Sequence, residues 1–301
     1  MKERLLNLIQ EFDSDSVSGA SDLTLKAIDI LEDVLRTDPG AVEAVAVSLC
    51  TGQPAMASVW NAAAVALRPD AAASISRFRR VVGRAPDALA RVSEEVLLLG
   101  CVSKDRFSVL TISSSGAVKS CLLRLAKSCR LSVICAESRP NYEGRKFAMS
   151  LADQGIATSI CTDAAAASLC RSVDVFLCGA DAVFFESFIN KCGTGQLINA
   201  ASECGIPPYV IASRDKFSND LLESTLTLNG GPADEVWPKA PNKIGILNPY
   251  FERVPTKNLA GIITDFGNIP PVGLKNVSDG LVVRQDIEKL IDTVKNMSAR
   301  E

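Results

Sequence analysis

The feature that most constrains the fold is an alternation of short apolar runs with helical segments after Gly100. The runs predict strands at 107–112, 131–136, 156–161, 173–178 and 208–212. Helices are predicted between them at 117–129 and 142–154, from Asp163 and from Gly193. This order builds βαβ units, so we predict a mainly parallel sheet with helices on both faces. The tail adds a predicted strand at 244–247 and a closing helix at 284–297.

The first hundred residues have a different pattern, with apolar positions at helical spacing and no alternation typical of strands. Proline and glycine interrupt the pattern at Asp38-Pro39-Gly40, Gln53-Pro54 and Arg68-Pro69, and Pro86 is predicted to begin the last helix. We therefore predict a helical domain at 1–103 and a ligand-binding domain at 104–301.

Composition excludes several classes of function. The formal net charge of −3 provides no excess positive field, so we expect no direct binding to nucleic acid or membranes. No segment approaches the ~20 apolar residues of a spanning helix, and the start lacks the apolar stretch of a signal peptide. The ten cysteines form no Cys-x-x-Cys motif, which favours reduced thiols in the cytoplasm.

Polar residues follow each of the five predicted strands. In an open parallel sheet the carboxyl ends of the strands lie along one edge, and ligands bind outside it. The residues that collect there are Ser113-Ser114-Ser115-Gly116, Glu137-Ser138-Arg139, Asp163, Asp181 and Ser213-Arg214. The sequence therefore predicts a binding site at this edge, which we call the strand-end rim.

The groups on this rim suit a phosphorylated small molecule. Ser113–Gly116 precedes a helix whose first N–H groups can face an anion, although serine-rich helix caps are also common. Arg139 and Lys191 add positive charge, and Asn190 can both donate to and accept from a sugar hydroxyl. Asp181 is the candidate general acid or base, and it also fits a simple turn after a strand. No Gly-x-Gly-x-x-Gly follows the first strand, which argues against a dinucleotide.

Several motifs in one order carry a resemblance to a known superfamily. They are Glu137-Ser138-Arg139-Pro140 with Glu143-Gly144-Arg145, Cys178-Gly179-Ala180-Asp181, Asn190-Lys191-Cys192-Gly193-Thr194, Gly205-Ile206-Pro207 and Asn248-Pro249-Tyr250-Phe251. The chain resembles the superfamily that unites the α, β and δ subunits of eukaryotic translation initiation factor 2B with methylthioribose-1-phosphate isomerase and ribose-1,5-bisphosphate isomerase. The resemblance covers nearly the whole chain. It implies a Rossmann-like second domain, a dimer or higher oligomer, and a phosphosugar pocket on the rim.

The isomerases of this superfamily use a cysteine and an aspartate. The resemblance places the aspartate at Asp181 and implies that Glu143, Asn190 and Lys191 contribute to ligand binding. The cysteine should follow the first strand, but Ser113 occupies that place. A serine hydroxyl is too weak an acid to replace a thiol without an activating base, and the chain contains no histidine.

A second departure lies in the first domain, where the isomerases carry an Arg-Gly-Ala phosphate-binding motif and this chain has Ser18-Gly19-Ala20. Two other thiols lie near the motifs. Cys178 is three residues before Asp181, and Cys192 lies at a helix start that would lower its pKa. Both also fit as substitutes for buried aliphatic side chains.

The apolar stretch between Asp181 and Asn190 contains three phenylalanines. Phe184, Phe185 and Phe188 cannot all face water without a large loss of hydrophobic free energy. We expect them to pack under a lid or against a partner subunit.

Three functions remain open on the sequence alone. The first is an initiation-factor-2B-like protein that binds a phosphorylated sugar or nucleotide, lacks the usual cysteine and acts through assembly with a translation-factor partner. The second is an aldose–ketose isomerase acting on a sugar 1-phosphate, of the ribose-1,5-bisphosphate or methylthioribose-1-phosphate type. The third is a structural subunit without a ligand. We expect a homodimer or higher oligomer, with no cofactor and no metal.

Overall fold

A helical region precedes an α/β region in the computed structural model, which describes residues 2–15, 18–102, 106–228, 230–277 and 284–298. The helical region comprises α1 (Lys2–Asp13), α2 (Ala20–Thr37), α3 (Val42–Gly52), α4 (Ala57–Ala66) and α5 (Ala71–Val102). The later helices are α6 (Gly116–Leu125), α7 (Glu143–Ala152), α8 (Asp163–Ala166), α9 (Thr194–Glu203), α10 (Asp220–Thr225) and α11 (Arg284–Ser298). None of the helices in the described part of the chain is long and apolar enough to cross a membrane.

The strands of the described residues form two sheets. They are β1 (Phe107–Thr111), β2 (Leu131–Ala136), β3 (Ala157–Cys161), β4 (Val175–Cys178), β5 (Ala182–Val183), β6 (Ser187–Lys191), β7 (Pro208–Ile211), β8 (Phe251–Pro255), β9 (Gly261–Thr264) and β10 (Gly267–Ile269). The larger sheet has the order β10-β9-β7-β4-β1-β2-β3, and only β10 runs antiparallel to its neighbour there. The smaller sheet, β5-β6-β8, is antiparallel.

The strand order locates the position at which this fold binds ligands. Strand β1 pairs in parallel with β2 on one side, where Val109 lies opposite Val133. On its other side it pairs in parallel with β4, where Val109 lies opposite Val175. The direction of winding reverses between β1 and β4, and ligands bind in the crevice at such a switch point. The predicted fold class, a helical N-terminal region followed by a Rossmann-like, mainly parallel sheet, is confirmed.

Helix α5 connects the two hydrophobic cores. Its first half contributes Ile75, Phe78 and Val82 to the cluster of the helical region, and its second half contributes Leu89 and Val92 to the cluster beneath the sheet. Pro86 lies inside this helix, so the prediction that it begins a new helix is wrong. Burial on both sides of Pro86 holds the helix together although one N–H donor is missing.

The C-terminal helix packs on the helical region. Ile287, Leu290 and Ile291 of α11 are buried in the same cluster as the helices of the first hundred residues. Arg68 and Asp286 form a half-buried ion pair at 2.7 Å across this contact. The boundary predicted between 103 and 104 lies outside the described residues and stays a prediction.

Two other expectations need correction or refinement. Residues 244–247 form no strand, and Leu247 is 90% exposed, so no apolar surface is gained there by ordering an extended run. The segment with three phenylalanines forms the β5–β6 hairpin. Phe184 packs in the helical cluster and Phe188 in a cluster against the sheet, whereas Phe185 remains 38% exposed.

Eight cysteines of the described residues are free thiols, and most of these are buried. Cys129 is disulfide-bonded, which departs from the expectation of reduced thiols.

Candidate functional site

A cavity of about 320 Å³ lies between the helical region and the strand-end rim. The rim contributes one wall, which includes Ser113, Ser114, Ser115, Gly116, Glu143, Asp181, Asn190, Lys191 and Lys216. The other wall, here named the helical wall, includes Asp13, Asp15, Ser18, Gly19, Asp22 and Gln53. Of the residues predicted to catalyse or to bind the ligand, all but Arg139 line this cavity. The other residues predicted at the rim do not line it; they are Glu137, Ser138, Asp163, Ser213 and Arg214.

The loop after β1 presents backbone donors to this cavity. Ser113 adopts a left-handed backbone (φ 65°), and its N–H donates to Ser138 Oγ at 2.7 Å. Ser115 caps α6 by accepting from the N–H of Val118. No group of the described residues accepts from the N–H of 114, 115, 116 or 117. Four unpaired donors at a helix N-terminus favour a bound anion.

The residue after β4 that faces this loop must be a glycine. A Cβ at Gly179 would lie 2.6 Å from Ser115 Oγ, which is far closer than real contacts allow. The close approach of the two loops narrows the crevice at the switch point.

Asp181 follows β4 and is held by its backbone from two sides. Its N–H donates to Ile189 O at 2.8 Å, and its carbonyl accepts from the N–H of Ala57, at the start of α4, at 3.1 Å. No group of the described residues hydrogen-bonds to its carboxylate. Burial raises the pKa of Asp181 to about 6, although Lys216 and Lys191 oppose the rise. A carboxyl group with this pKa can take up or release a proton near neutral pH.

Lys191 carries a buried positive charge at the end of β6. It is 3% exposed, and its Nζ lies 2.8 Å from Glu143 Oε1, at the start of α7. The second oxygen, Glu143 Oε2, is buried and has no hydrogen-bond partner among the described residues. Asn190 donates from Nδ2 to Thr194 Oγ1 at 2.9 Å. The cavity therefore contains an ion pair with one unused acceptor.

Lys216 is a cavity residue that the sequence analysis missed. It is 4% exposed, and its Nζ donates to Ala180 O at 2.6 Å. Lys216 lies three residues beyond Ser213, which follows the end of β7. Including the next few residues after this strand in the prediction would have found it. Its ammonium group stabilises the turn that carries Asp181 and adds positive charge to the rim wall.

Other predicted rim residues hold loops together. The Arg139 guanidinium donates to the carbonyls of Glu235 (3.4 Å) and Val236 (3.1 Å), and it does not line the cavity. Asp163 accepts from the N–H groups of Ser138 and Arg139 at 2.8 and 2.7 Å. Arg214 pairs with Asp265 at 2.6 Å. These contacts fix the loops after β2 and β7.

Neither of the two nearby thiols lines the cavity, and no other cysteine of the described residues does. Cys178 is fully buried in β4, and burial raises the pKa of its thiol. Cys192 is exposed, and its pKa is raised by partial burial and by Glu252 despite the neighbouring Lys191. The expected lowering of the Cys192 pKa is therefore wrong, because the helix start and the lysine do not outweigh these two effects.

A sequence profile of the initiation factor 2 subunit family matches residues 5–271. The chain belongs to this family. The superfamily predicted from the motifs is thereby confirmed at the level of the family.

Family relatives carry two kinds of name. A ribose 1,5-bisphosphate isomerase of Archaeoglobus fulgidus is 30% identical over 233 residues, which cover 74% of each chain. A putative translation initiation factor eIF-2B subunit 2-like protein of Pyrococcus horikoshii is 30% identical over 285 residues, covering 90% of this chain and 98% of the relative. The family relationship alone therefore does not choose between an isomerase and a translation factor.

Solved structures of relatives have the same fold. The translation initiation factor eIF-2B of Pyrococcus horikoshii superposes with a TM-score of 0.78 at 27% identity, covering 89% of this chain and 98% of that chain. The 5-methylthioribose 1-phosphate isomerase of the same organism superposes with a TM-score of 0.67 at 20% identity, covering 96% and 87%. At 20% identity the second comparison concerns the fold alone.

Proposed function

We propose that this family member binds a phosphorylated sugar or nucleotide in the cavity, with the phosphate at the N-terminus of α6. The observation that carries the proposal is the set of unpaired N–H groups at Ser114, Ser115 and Gly116, which line a cavity that Lys191 and Lys216 also line. Backbone donors and buried ammonium groups together bind phosphate oxygens strongly. On this proposal Asn190 and Asp181 contact hydroxyl groups of the ligand.

We further propose that the protein lacks the usual isomerase reaction. Ser113 stands where the resemblance expects the cysteine, and no cysteine of the described residues lines the cavity. On this proposal the protein acts through assembly, as a homodimer or higher oligomer in the cytoplasm with a translation-factor partner. A structural relative is described as a tetrameric eIF2B-beta2-delta2 complex, which motivates the assembly part of the proposal.

One observation favours an aldose–ketose isomerase as the second candidate. Asp181 has a pKa of about 6 because it is buried, and a group with this pKa suits the transfer of a proton between neighbouring carbons of a sugar phosphate. Turnover of a sugar 1-phosphate that Asp181→Asn abolishes, while the variant still binds the substrate, would support the isomerase over the binding protein.

A thermal-shift screen tests the binding proposal. Sugar 1-phosphates, bisphosphates, nucleoside monophosphates and inorganic phosphate are compared on the wild type, Lys191→Ala and the exposed control Lys127→Ala. We expect a selective stabilisation by one ligand class that Lys127→Ala retains and Lys191→Ala loses. Lys191→Ala also leaves Glu143 buried and unpaired, so each shift is measured against the same variant without ligand. The absence of a shift from every phosphate would contradict the proposal.

A further inference from the structure

The two walls of the cavity differ in charge. The rim wall balances Lys191 and Lys216 against Glu143 and Asp181. The helical wall contains Asp13, Asp15 and Asp22 and, among its described residues, no lysine or arginine. Asp15 is neutralised by Lys26, which also donates to Ser18 Oγ at 3.0 Å. The two other carboxylates have no hydrogen-bond or ion-pair partner among the described residues. They are therefore available to a ligand.

Asp13 is an exposed residue at the end of α1, and its carboxylate lies against Gly52. A Cβ at Gly52 would lie 1.8 Å from Asp13 Oδ1, so this position of the carboxylate depends on the glycine. Partial burial raises the pKa of Asp13 from its ordinary value of 3.8. The helical wall thus presents this carboxylate to the cavity.

The same wall also offers unpaired donors. Helix α2 begins after Gly19, which provides no side-chain cap, and no described group accepts from the N–H of Ala20, Ser21 or Asp22. Asp22 lies in the first turn of this helix, and its charge offsets the positive end of the helix dipole. The wall therefore combines donors and acceptors without a net attraction for anions.

Only some chemical groups of a ligand can pair with both the carboxylates and the N–H donors of the helical wall. A phosphate accepts hydrogen bonds but is repelled by the two carboxylates, and an ammonium group leaves the N–H groups unpaired. A hydroxyl group donates to a carboxylate and accepts from an N–H at the same time.

We propose that the ligand carries a single phosphate, at the rim wall, and that its far end bears hydroxyl groups held by the helical wall. This inference rests on the proposed function and narrows it to monophosphates of sugars with a free hydroxyl end. A second phosphate at that end is excluded by Asp13 and Asp22, which act as specificity-determining residues.

Calorimetric titration at low ionic strength with three matched ligands tests this inference. They are ribose 1-phosphate, its 5-deoxy analogue and ribose 1,5-bisphosphate, which differ only at the far end. We expect ribose 1-phosphate to bind about tenfold more tightly than the bisphosphate and about fivefold more tightly than the deoxy analogue. In the double variant Asp13→Asn/Asp22→Asn the bisphosphate should bind only about twofold more weakly than ribose 1-phosphate. The exposed control Glu43→Gln should keep the difference of about tenfold.

The outcomes separate the inference from the proposed function. Equal or tighter binding of the bisphosphate to the wild type would overturn the inference and leave phosphate binding in the cavity intact. An unchanged preference in the double variant would overturn the assignment of selectivity to the two aspartates. Binding of none of the three ligands would count against the inference and the proposed function together.

Discussion

At the scale of single residues, the cavity combines groups that are unfavourable in isolation. The Asp181 carboxylate has no hydrogen-bond partner among the described residues, and Glu143 Oε2 is buried without one. Each buried polar group of this kind lowers stability unless a ligand or water satisfies it. Groups of this kind are typical of functional sites, where residues needed for binding or proton transfer lower the stability of the fold.

The pH dependence of stability follows from the Asp181 pKa. The pKa in the folded state, about 6, lies above the ordinary value of 3.8. The ionised carboxylate therefore destabilises the fold, and this penalty grows as the pH rises from about 4 to about 6 and is complete above that window. We expect Asp181→Asn to raise the free energy of unfolding by about 2 kcal/mol at pH 8 and by about half as much at pH 5.

Denaturant unfolding at both pH values measures this effect, with the exposed Asp153→Asn as the matched control. Two results would contradict this account: a gain in the free energy of unfolding that is not smaller at pH 5, or a variant less stable than the wild type at pH 8. Either would show that burial does not penalise the ionised form of Asp181.

At the scale of elements, the sequence predicts what local patterns determine. The apolar runs at β1, β2, β4 and β7 were found because buried parallel strands are continuous and apolar. The run at β3 was also predicted, although this edge strand is largely exposed. The hairpin β5–β6 was not found, because β5 has only two residues and shows no periodicity, and because β8, the second partner of β6, is distant in sequence. The predicted strand at 244–247 failed because an apolar run forms a strand only where a neighbour supplies pairing and burial.

The two walls of the site differ in how far the sequence predicted them. The rim wall was predictable from the residues that follow the strands. On the helical wall only Ser18-Gly19-Ala20 was indicated, through the resemblance to the isomerases. Asp13, Asp22 and Gln53 reach the cavity only through the packing of the helical region on the sheet, a tertiary contact that no local pattern encodes.

Helix α5 allows a direct test of how a proline is tolerated. Pro86 is exposed, lacks the N–H that would donate to Val82 O, and lies where the helix passes from one core to the other. We expect Pro86→Ala to raise the free energy of unfolding by about 2 kcal/mol, since the missing hydrogen bond is restored. The exposed neighbour substitution Asp87→Ala should change it by less than about 0.5 kcal/mol. Destabilisation by Pro86→Ala would contradict this expectation.

At the scale of the whole molecule, the helical region and the sheet are connected by shared cores. Leu222, Leu226 and the buried face of α11 belong to the helical cluster, although Leu222 and Leu226 lie between β7 and β9 in sequence and α11 follows all the strands. We therefore expect one cooperative unfolding transition. In Trp237→Phe, which removes an exposed tryptophan, the remaining buried Trp60 reports on the helical region alone. Its fluorescence and far-ultraviolet circular dichroism should give the same midpoint, and separate midpoints would indicate two independent domains.

The central claim is that the N-terminus of α6 binds a phosphate, and a single donor can be removed to test it. Gly116 is the first residue of α6, a Cβ there meets nothing within 4 Å, and the preceding Ser115 is extended (φ −109°, ψ 122°). Proline is favoured at this position of a helix and is compatible with an extended residue before it. Gly116→Pro should therefore fold normally but lack one N–H, whereas Gly116→Ala keeps it.

The measurement is calorimetric titration of the wild type and both variants with the sugar phosphate that gives the largest thermal shift. We expect Gly116→Ala to bind like the wild type and Gly116→Pro to bind about tenfold or more weakly, with no loss of thermal stability. Equal affinity of all three proteins would contradict the placement of the phosphate at α6.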